Sequence, residues 1–171
     1  MARLAILEYP DPRLRRRAEP VAAVDDHVTR LVDDMLETMY ATRGIGLAAT
    51  QVDVHWQVLV MDVSRERNAP QVFINPQVLE AQAEGMVEES CLSVPGVVAS
   101  IRRSTRLRVR HLDRVGRPCE RTLDMLAAVC LQHEMDHLQG RVLLDRLPWH
   151  VRLLMRLRMR RGRAPATVGA S

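Results

Sequence analysis

One short segment of the sequence has the residue types and the spacing of a metal-dependent hydrolase. In His133-Glu134-Met135-Asp136-His137 the two histidines are four residues apart, so on a helix both imidazoles lie on one face and can bind one metal ion. Glu134 follows the first histidine, where a carboxylate can take a proton from an activated water molecule and return it to a leaving amine. The alternative interpretation is a pair of ordinary surface histidines on a helix, so the segment favours a hydrolase without establishing one.

A catalytic metal site of this kind usually has three protein ligands, so one ligand lies outside the segment. Downstream of His137 the candidates are Asp145, which is too near in sequence, and His150, which falls on a different, basic helix. An upstream ligand is therefore expected. Cys91 is the best candidate because it lies in a polar stretch between predicted strands, where a thiolate can be presented to a metal.

The other cysteines and histidines are expected to be structural. Three cysteines are an odd and sparse set, which argues against a disulfide framework. Cys130, three residues before His133, has apolar neighbours and is interpreted as a core or pocket cysteine, and Cys119 as a strand residue. The remaining histidines show no ligand spacing, and surface positions are expected for His27, His55 and His111.

Hydrophobic periodicity predicts the elements that position these residues. Apolar residues at helical spacing predict a helix over 25–42, capped by Asp25 or Asp26 and ended by Gly44 before a glycine-rich loop. Two more helices are expected over 124–139 and 148–161, and strands over 57–63, 72–74, 97–101, 106–112 and 118–122, with a hairpin turn at 113–116. Strands and helices do not alternate as in βαβ units. The expected fold class is therefore α+β, with antiparallel β-sheets packed around a central helix that carries the His-Glu-x-x-His motif, and with a C-terminal helix.

Length and charge indicate the organisation of the chain. Its 171 residues, 47% of them apolar, suit one domain, with a catalytic part over 1–147, a basic helix over 148–163 and a disordered tail over 164–171. No stretch approaches the ~20 apolar residues of a membrane helix. The N-terminus lacks a signal-like run, so we expect a cytoplasmic protein with no membrane partner.

The basic charge is concentrated at the C-terminus. Residues 1–145 contain 18 arginines and 21 acidic residues, whereas 146–171 contain seven arginines and no acidic residue. Trp149, Leu153, Leu154 and Leu157 are expected to form an apolar stripe on this helix. An arginine-rich helix can bind RNA phosphates, and the alternative is a helix packed on the domain with its arginines in solvent.

Three segments, in this order along the chain, resemble the peptide deformylase family. They are Gly44-Ile45-Gly46-Leu47-Ala48-Ala49-Thr50-Gln51, Glu89-Ser90-Cys91-Leu92-Ser93, and Gln132-His133-Glu134-Met135-Asp136-His137-Leu138-Gln139-Gly140. The resemblance extends from near the N-terminus to about residue 147. It implies hydrolysis of the N-formyl group from the initiator methionine of nascent polypeptides, with an N-formylmethionyl peptide or nascent chain as partner and formate as product.

The resemblance also implies roles for individual residues. Cys91, His133 and His137 would bind one divalent metal ion, ferrous iron in the cell with zinc, nickel or cobalt as alternatives. Glu134 would act as general acid and base for a metal-bound hydroxide. The Gln51 amide and the Leu92 backbone N–H would hold the oxyanion, as fixed neutral donors can. The substrate-binding residues would be Ile45, Gly46, Leu126, Val129 and Cys130, and their alternative role is simple core packing. A basic C-terminal helix is associated in the family with docking on the ribosome.

Two positions depart from the family pattern, and two other functions remain open. Ser90 replaces a usual glycine, and Val98 lies near where some members carry an arginine that contacts the substrate main chain; we expect Arg102 or Arg103 to replace it in part. A zinc endopeptidase would need a third histidine or glutamate ligand downstream of His137. A non-catalytic RNA-binding protein should lack at least one of the five metal, acid/base and amide side chains, and all five are present.

Overall fold

Three helices and a mixed set of long and short strands make up the fold. The computed structural model describes residues 2–160 and 167–168. The helices are α1 (Asp26–Ala41), α2 (Leu126–Leu138) and α3 (Trp149–Arg160), and the strands are β1 (Gly46–Ala48), β2 (Val58–Met61), β3 (Gln71–Cys91), β4 (Val94–Leu112), β5 (Pro118–Asp124) and β6 (Thr167–Val168). Within the described ranges, no helix has the length and apolar content needed to cross a membrane.

The strands form one sheet in which neighbours along the chain are neighbours in space. The order is β1-β2-β3-β4-β5, every one of these pairs is antiparallel, and β6 pairs in parallel with β4 beside Val98 and Ala99. This arrangement confirms the predicted α+β class with antiparallel strands. Of the tail predicted to be disordered, residues 164–166 and 169–171 lie outside the described residues.

Helix α1 begins and ends with local hydrogen bonds that its sequence provides. Asp25 caps the first turn by accepting from the N–H groups of His27 and Val28. One face of the helix is buried in a cluster with β1 and β2, and its members include Val28, Val32, Met35 and Met39. Arg43 has φ +58, and the Gly44 N–H bonds the Met39 carbonyl at 2.9 Å. The helix therefore ends one residue before the predicted limit and is closed by Gly44, as predicted.

Helix α2 is the central helix. Nine of its thirteen residues are buried, including His133, Glu134, Asp136 and His137, and it contacts β1, β2, β4 and β5. The turn after the helix contains Gly140, which has φ +72 and lies so close to the N-terminal segment that an added Cβ would be 2.4 Å from the Arg15 carbonyl oxygen. The predicted placement of the His-Glu-x-x-His motif on a central helix is confirmed.

The strands around Cys91 are longer than predicted. We expected separate strands over 97–101 and 106–112 and a polar stretch between strands before Cys91, but β4 is continuous and β3 runs on to Cys91 itself. The pairing of β3 with β4 shifts register near Ile74, Val78 and Ser90, which breaks the alternation on which strand prediction depends. The predicted glycine-rich loop likewise contains β1. The predicted hairpin turn at 113–116 is present, with Gly116 at φ +80.

Helix α3 packs on the domain through residues other than the predicted stripe. Val151 and Met155 contact the cluster that includes Val94, Leu143 and Leu144. The residues of the predicted stripe are instead exposed: Trp149, Leu153, Leu154 and Leu157. Each is one turn or less from a packed residue, so the predicted stripe is exposed and a different apolar edge of the helix packs on the core. The side chains of the arginines beyond Leu157 lie outside the described residues.

Candidate metal and peptide site

Three side chains from two elements meet in one buried cluster. His133 and His137 lie one turn apart on α2, and Cys91 is the last residue of β3, held by the two-residue turn Leu92–Ser93 that leads into β4. One ligand atom from each of the three residues lies within 4.8 Å of the others, and the Cys91 Sγ is 3.2 Å from the His137 Nε2. The sequence predicted these three residues as the ligands, and the structure brings them together.

The chemistry of this cluster fits a divalent cation. Burial lowers the pKa of His133, but hydrogen bonds to Cys91 and Glu89 outweigh it and hold the pKa well above the ordinary value. Burial and the nearby His133 hold the pKa of His137 well below its ordinary value. The cluster offers one sulfur and two imidazole nitrogens within reach of one another, and this donor set suits zinc or ferrous iron.

A second layer of side chains fixes His133 and was not found by sequence reasoning. Glu89 Oε2 accepts from the His133 Nδ1 at 2.8 Å, and Arg103 donates to both oxygens of Glu89 at 2.6 and 3.0 Å. Burial raises the pKa of Glu89, yet the bonds from His133 and Arg103 prevail and bring it to about 2. One feature of the sequence could have indicated Glu89. Residues two apart in a strand lie on the same face, and Glu89 is two residues before Cys91.

The same layer continues behind α2. Asp136 accepts from the Arg103 Nη1 at 2.8 Å and from the Arg146 Nε at 2.8 Å. Arg103 therefore joins a strand residue to the helix that carries both histidines. We expected Arg102 or Arg103 to contact a substrate, and this was wrong. The guanidinium of Arg103 is committed to two buried ion pairs. Arg102 is exposed, and its Nη1 lies 3.5 Å from the Glu84 Oε2.

Glu134 differs from these acids because it lacks a hydrogen-bonding partner for one oxygen. Its side chain is buried, and Oε2 has no partner among the described residues. Burial raises the pKa of Glu134 to about 7. Gly46 makes room for it, since a Cβ on Gly46 would lie 2.4 Å from Glu134 Oε1 and 2.8 Å from Cys130 Sγ. A carboxyl group in this state can gain and lose a proton near neutral pH.

A cavity of about 460 Å³ opens beside the cluster. All five predicted substrate-binding residues line it, namely Ile45, Gly46, Leu126, Val129 and Cys130, and so do Gln51, Leu92, Cys91, His133 and Glu134. Cys130 is buried, and its Sγ lies 3.6 Å from the Ile45 carbonyl oxygen, so it is a cavity cysteine rather than a member of the metal cluster. His137 lies behind the others and does not border the cavity.

Gln51 and Leu92 are held in place by the backbone around them. The Gln51 Oε1 accepts from the Ala48 N–H at 2.9 Å, and its Nε2 donates to Ser93 Oγ at 3.0 Å. These bonds define which end of the amide is the donor and leave a second N–H on Nε2. Leu92 lies in the turn directly after Cys91. Ser90 does not have the positive φ that would favour glycine, so this departure from the family pattern causes no backbone strain.

The downstream alternatives for a third ligand are not at the cluster. Asp145 is bound to Arg15, and His150 is exposed on α3 with its ring against Trp149. In the described ranges, Cys91, His133 and His137 are the one group placed to hold a metal. Among the described residues, the downstream third ligand that a His-Glu-x-x-His endopeptidase requires is therefore missing from the cluster. One expected surface histidine is also not at the surface: His111 is buried, because its ring packs against Phe73 at 4.4 Å.

Comparisons with known proteins agree with this geometry. The sequence profile of the family described as polypeptide deformylase matches residues 3–152. The chain is 55% identical over 150 residues to peptide deformylase 2 of Xanthomonas campestris, covering 86% of this chain and 88% of that protein, and 54% identical over 149 residues to the peptide deformylase of Azotobacter vinelandii, with the same coverage. The crystal structure of the Ehrlichia chaffeensis peptide deformylase in complex with actinonin superposes with a TM-score of 0.87 at 40% identity, covering 94% of this chain and 98% of that one.

Proposed function

Because this chain belongs to the polypeptide deformylase family, the metal-dependent hydrolases that remove the N-formyl group from nascent polypeptides, we propose a role for each residue at its cavity. Cys91, His133 and His137 hold one divalent metal ion. A bound ion of this kind polarises the formyl oxygen and makes water acidic enough to serve as a nucleophile near neutral pH. Glu89 orients His133 by accepting a hydrogen bond from its Nδ1–H, so that Nε2 is the nitrogen left for the metal.

Glu134 is the general acid and base. Its Oε2 is buried without a partner among the described residues, and its Oε1 faces Gly46 at the cavity wall, where it can take a proton from water. The same oxygen can then deliver that proton to the amine that leaves as the formyl C–N bond breaks. The surrounding apolar residues keep bulk water from competing for the proton.

Gln51 and Leu92 stabilise the oxygen of the formyl group as it becomes negative. The Gln51 amide is fixed by Ala48 and Ser93, so its remaining N–H does not need to reorganise during the reaction. The Leu92 N–H lies one residue after the metal ligand Cys91, and both residues border the cavity, so a backbone donor is available beside that ligand. Two neutral donors at this point favour the transition state over the uncharged substrate.

The methionine side chain occupies the apolar part of the cavity. Leu126, Val129 and Cys130 share one face of the first turns of α2, and Ile45 closes the cavity from the opposite wall. Gly46 brings a backbone edge close to the substrate without a side chain between them. A flexible thioether fills an irregular apolar pocket well, which suits the initiator residue.

The observation that carries this proposal is the buried, unpartnered Glu134 beside three convergent ligand atoms. We would measure formate release from formyl-Met-Ala-Ser by wild type and Glu134→Ala, loaded with the same metal. Formate from wild type, with little from a variant that still binds metal, supports the proposal. Acetyl-Met-Ala-Ser serves as a matched substrate control, because the extra methyl group must fit where the formyl hydrogen lies.

Three outcomes would overturn all or part of the assignment. No formate from fully metallated wild type would remove the deformylase proposal for this chain. Cleavage of internal bonds in an unformylated peptide, with Glu134 required, would indicate an endopeptidase instead. Equal activity of Glu134→Ala would leave the reaction in place but assign the proton transfers to another group.

We further propose ferrous iron as the metal in the cell. The mixed sulfur and nitrogen ligands suit iron and zinc. With ferrous iron, which is redox-active, the enzyme should lose activity in air as the iron or the thiolate is oxidised. Metal analysis of the protein purified without oxygen tests this, and zinc alone in an active sample would contradict it. Nickel or cobalt loading provides the oxygen-stable comparison.

The C-terminal helix supports a proposed contact with the ribosome in the cytoplasm. Trp149, Leu153 and Leu157 are exposed on α3, and the surrounding sequence is rich in arginine. Co-sedimentation with ribosomes should weaken as salt rises, because arginines displace counterions from RNA phosphates. Replacing Arg158, Arg160 and Arg161 with glutamine should abolish it without changing turnover of a free tripeptide. Salt-independent binding would argue against a phosphate contact.

A further inference from the structure

Arg67 holds one wall of the cavity from outside. It lies in the loop between β2 and β3, and its guanidinium donates from Nη2 to the Gly44 carbonyl and from Nη1 to the Arg43 carbonyl, the latter at 3.4 Å. Its Cζ also lies 5.2 Å from the centre of the Tyr40 ring. One side chain therefore contacts three residues that lead from α1 into β1.

These contacts stabilise the C-terminal end of a helix. The Arg43 N–H bonds the Tyr40 carbonyl at 3.1 Å and the Gly44 N–H bonds the Met39 carbonyl, which closes α1 by a Schellman motif. The carbonyl oxygens of Arg43 and Gly44 lie just beyond the C-terminal end of α1, which is the negative end of the helix dipole. A cation at this end is favourable, and a planar guanidinium can serve both carbonyls.

The loop that carries Arg67 is itself fixed at a buried carboxylate. Asp62 accepts from the Tyr40 hydroxyl at 2.6 Å, from the Ser64 N–H at 2.9 Å and from the Ala69 N–H at 3.1 Å. Its own N–H donates to the Ile45 carbonyl at 2.9 Å. The segment Gly44–Gly46 is thus bonded on one side to Asp62 and at its start to Arg67.

The position of this segment matters because it faces both the cavity and Glu134. The Ile45 carbonyl accepts from the Asp62 N–H, on the β2 side of the segment. In a strand the backbone N–H and C=O groups of successive residues point to opposite edges, so those of Gly46 point away from β2, to the free edge of β1. An extended peptide can add to such an edge through its main chain. Gly46 also lies against Glu134 and Cys130, so the edge with which a peptide main chain can pair borders the cavity.

We propose that Arg67 is a positioning residue for peptide substrates, which acts by fixing the Gly44–Gly46 wall against which the substrate main chain pairs. The inference rests on the proposed function of the cavity. It predicts that Arg67 contributes to the binding of a peptide main chain and not to the proton transfers. Loss of Arg67 should therefore raise KM and leave kcat nearly unchanged.

The test compares Arg67→Ala with Arg65→Ala, using nickel-loaded full-length protein. Arg65 is exposed in the same loop, so the control removes the same charge without touching Gly44. For formyl-Met-Ala-Ser, kcat/KM of Arg67→Ala should fall about tenfold, the effect of losing hydrogen bonds from a charged donor. For formyl-Met, which has less main chain to lie along the wall, the fall should be smaller. Arg67→Lys should recover part of the loss, since an ammonium lacks the planar fork.

Three results would overturn the inference. They are a KM in Arg67→Ala equal to that of Arg65→Ala, equal losses for both substrates, or a loss that appears in kcat together with reduced metal content. Calorimetric binding of Met-Ala-Ser separates this inference from the proposed function, because it needs no turnover. If wild type released no formate, a weaker binding of that peptide by Arg67→Ala would still support the role of the wall, and unchanged binding would remove it.

Discussion

The two faces of α2 bury carboxylates under opposite conditions. Behind the helix, Asp136 accepts from Arg103 and Arg146. Arg103 joins this group to Glu89, which borders the cavity and accepts from Arg103 and His133. Toward the cavity, Glu134 has one oxygen without a partner among the described residues. A fully bonded carboxylate keeps one charge state and one position, which suits the support of metal ligands. An incompletely bonded one has a raised pKa and can exchange a proton, which suits catalysis.

The largest effect on activity is expected from neutralising Glu134, the carboxylate of α2 that faces the cavity. Glu134→Gln keeps the shape of the side chain but removes the proton acceptor, so kcat for formate release should fall by about 10²–10⁴-fold. The melting temperature should not fall, because no hydrogen bond to Oε2 is lost. Glu88→Gln is the control, since Glu88 also lines the cavity but is exposed. Retained activity, or a marked loss of stability in Glu134→Gln, would contradict the assignment of this face to catalysis.

Breaking the rear face should affect stability and metal binding instead. Arg103→Met leaves Glu89 and Asp136 buried without their shared cation, so the free energy of unfolding should fall by about 3–5 kcal/mol. Metal affinity should fall by about 10–100-fold, because His133 loses a correctly held partner. Urea denaturation and competition with a chelator measure the two effects.

Arg102→Met provides the matched control for this change. Its ion pair with Glu84 is exposed at both ends, so its loss should cost about 0–1 kcal/mol. If Arg103→Met were as stable as Arg102→Met, the rear cluster would not have the structural role that its geometry indicates. A stable variant with weak metal binding would separate the support of His133 from the stability of the fold.

The difference between the two faces also separates what the sequence predicts from what it does not. The metal ligands and the acid/base residue on α2 were predicted, because His133, Glu134 and His137 carry their chemistry in residue types at helical spacing. Arg103 and Asp136 were not assigned their roles, because this arginine–carboxylate pair joins residues 33 positions apart and only the packing of α2 against β4 brings them together. The long β3 and β4 were missed for a related reason, since part of their paired length is exposed and has no apolar alternation.

A methyl group added at Gly46 in the cavity wall should lower activity more than it lowers stability. In Gly46→Ala the new Cβ would overlap the Glu134 Oε1 and the Cys130 Sγ, so Glu134 must move from its present position. A displacement of about 1 Å costs roughly 10²-fold in kcat/KM. Gly85→Ala is the control, because a Cβ there meets Thr105 Cγ2 at an ordinary 3.5 Å. An active Gly46→Ala enzyme would show that Glu134 tolerates this shift and that its position is less critical than we infer.

The prediction with the smallest expected effect tests whether a buried polar atom without a hydrogen-bonding partner is enough to indicate function. His111 Nε2 is buried without a partner among the described residues, as Glu134 Oε2 is, but His111 borders neither the metal cluster nor the cavity. Burial holds the pKa of His111 below its ordinary value, and Arg121 acts in the same direction against Asp113. Between this lowered pKa and the unfolded value of about 6.5, the unfolded chain binds more protons, so stability should rise with pH across that window.

His111→Phe should therefore reduce this pH dependence and leave formate release unchanged. The measurement is the urea midpoint of wild type and variant at about pH 5.5 and at about pH 7.5, on either side of the unfolded pKa. His27→Phe makes the same change at an exposed position and should leave the slope as it is. A loss of activity in His111→Phe at constant stability would mean that a buried, unpartnered nitrogen far from the cavity takes part in the reaction. Unchanged activity would show that the contrast between Glu134 and the rear carboxylates depends on the cavity as well as on the missing hydrogen bond.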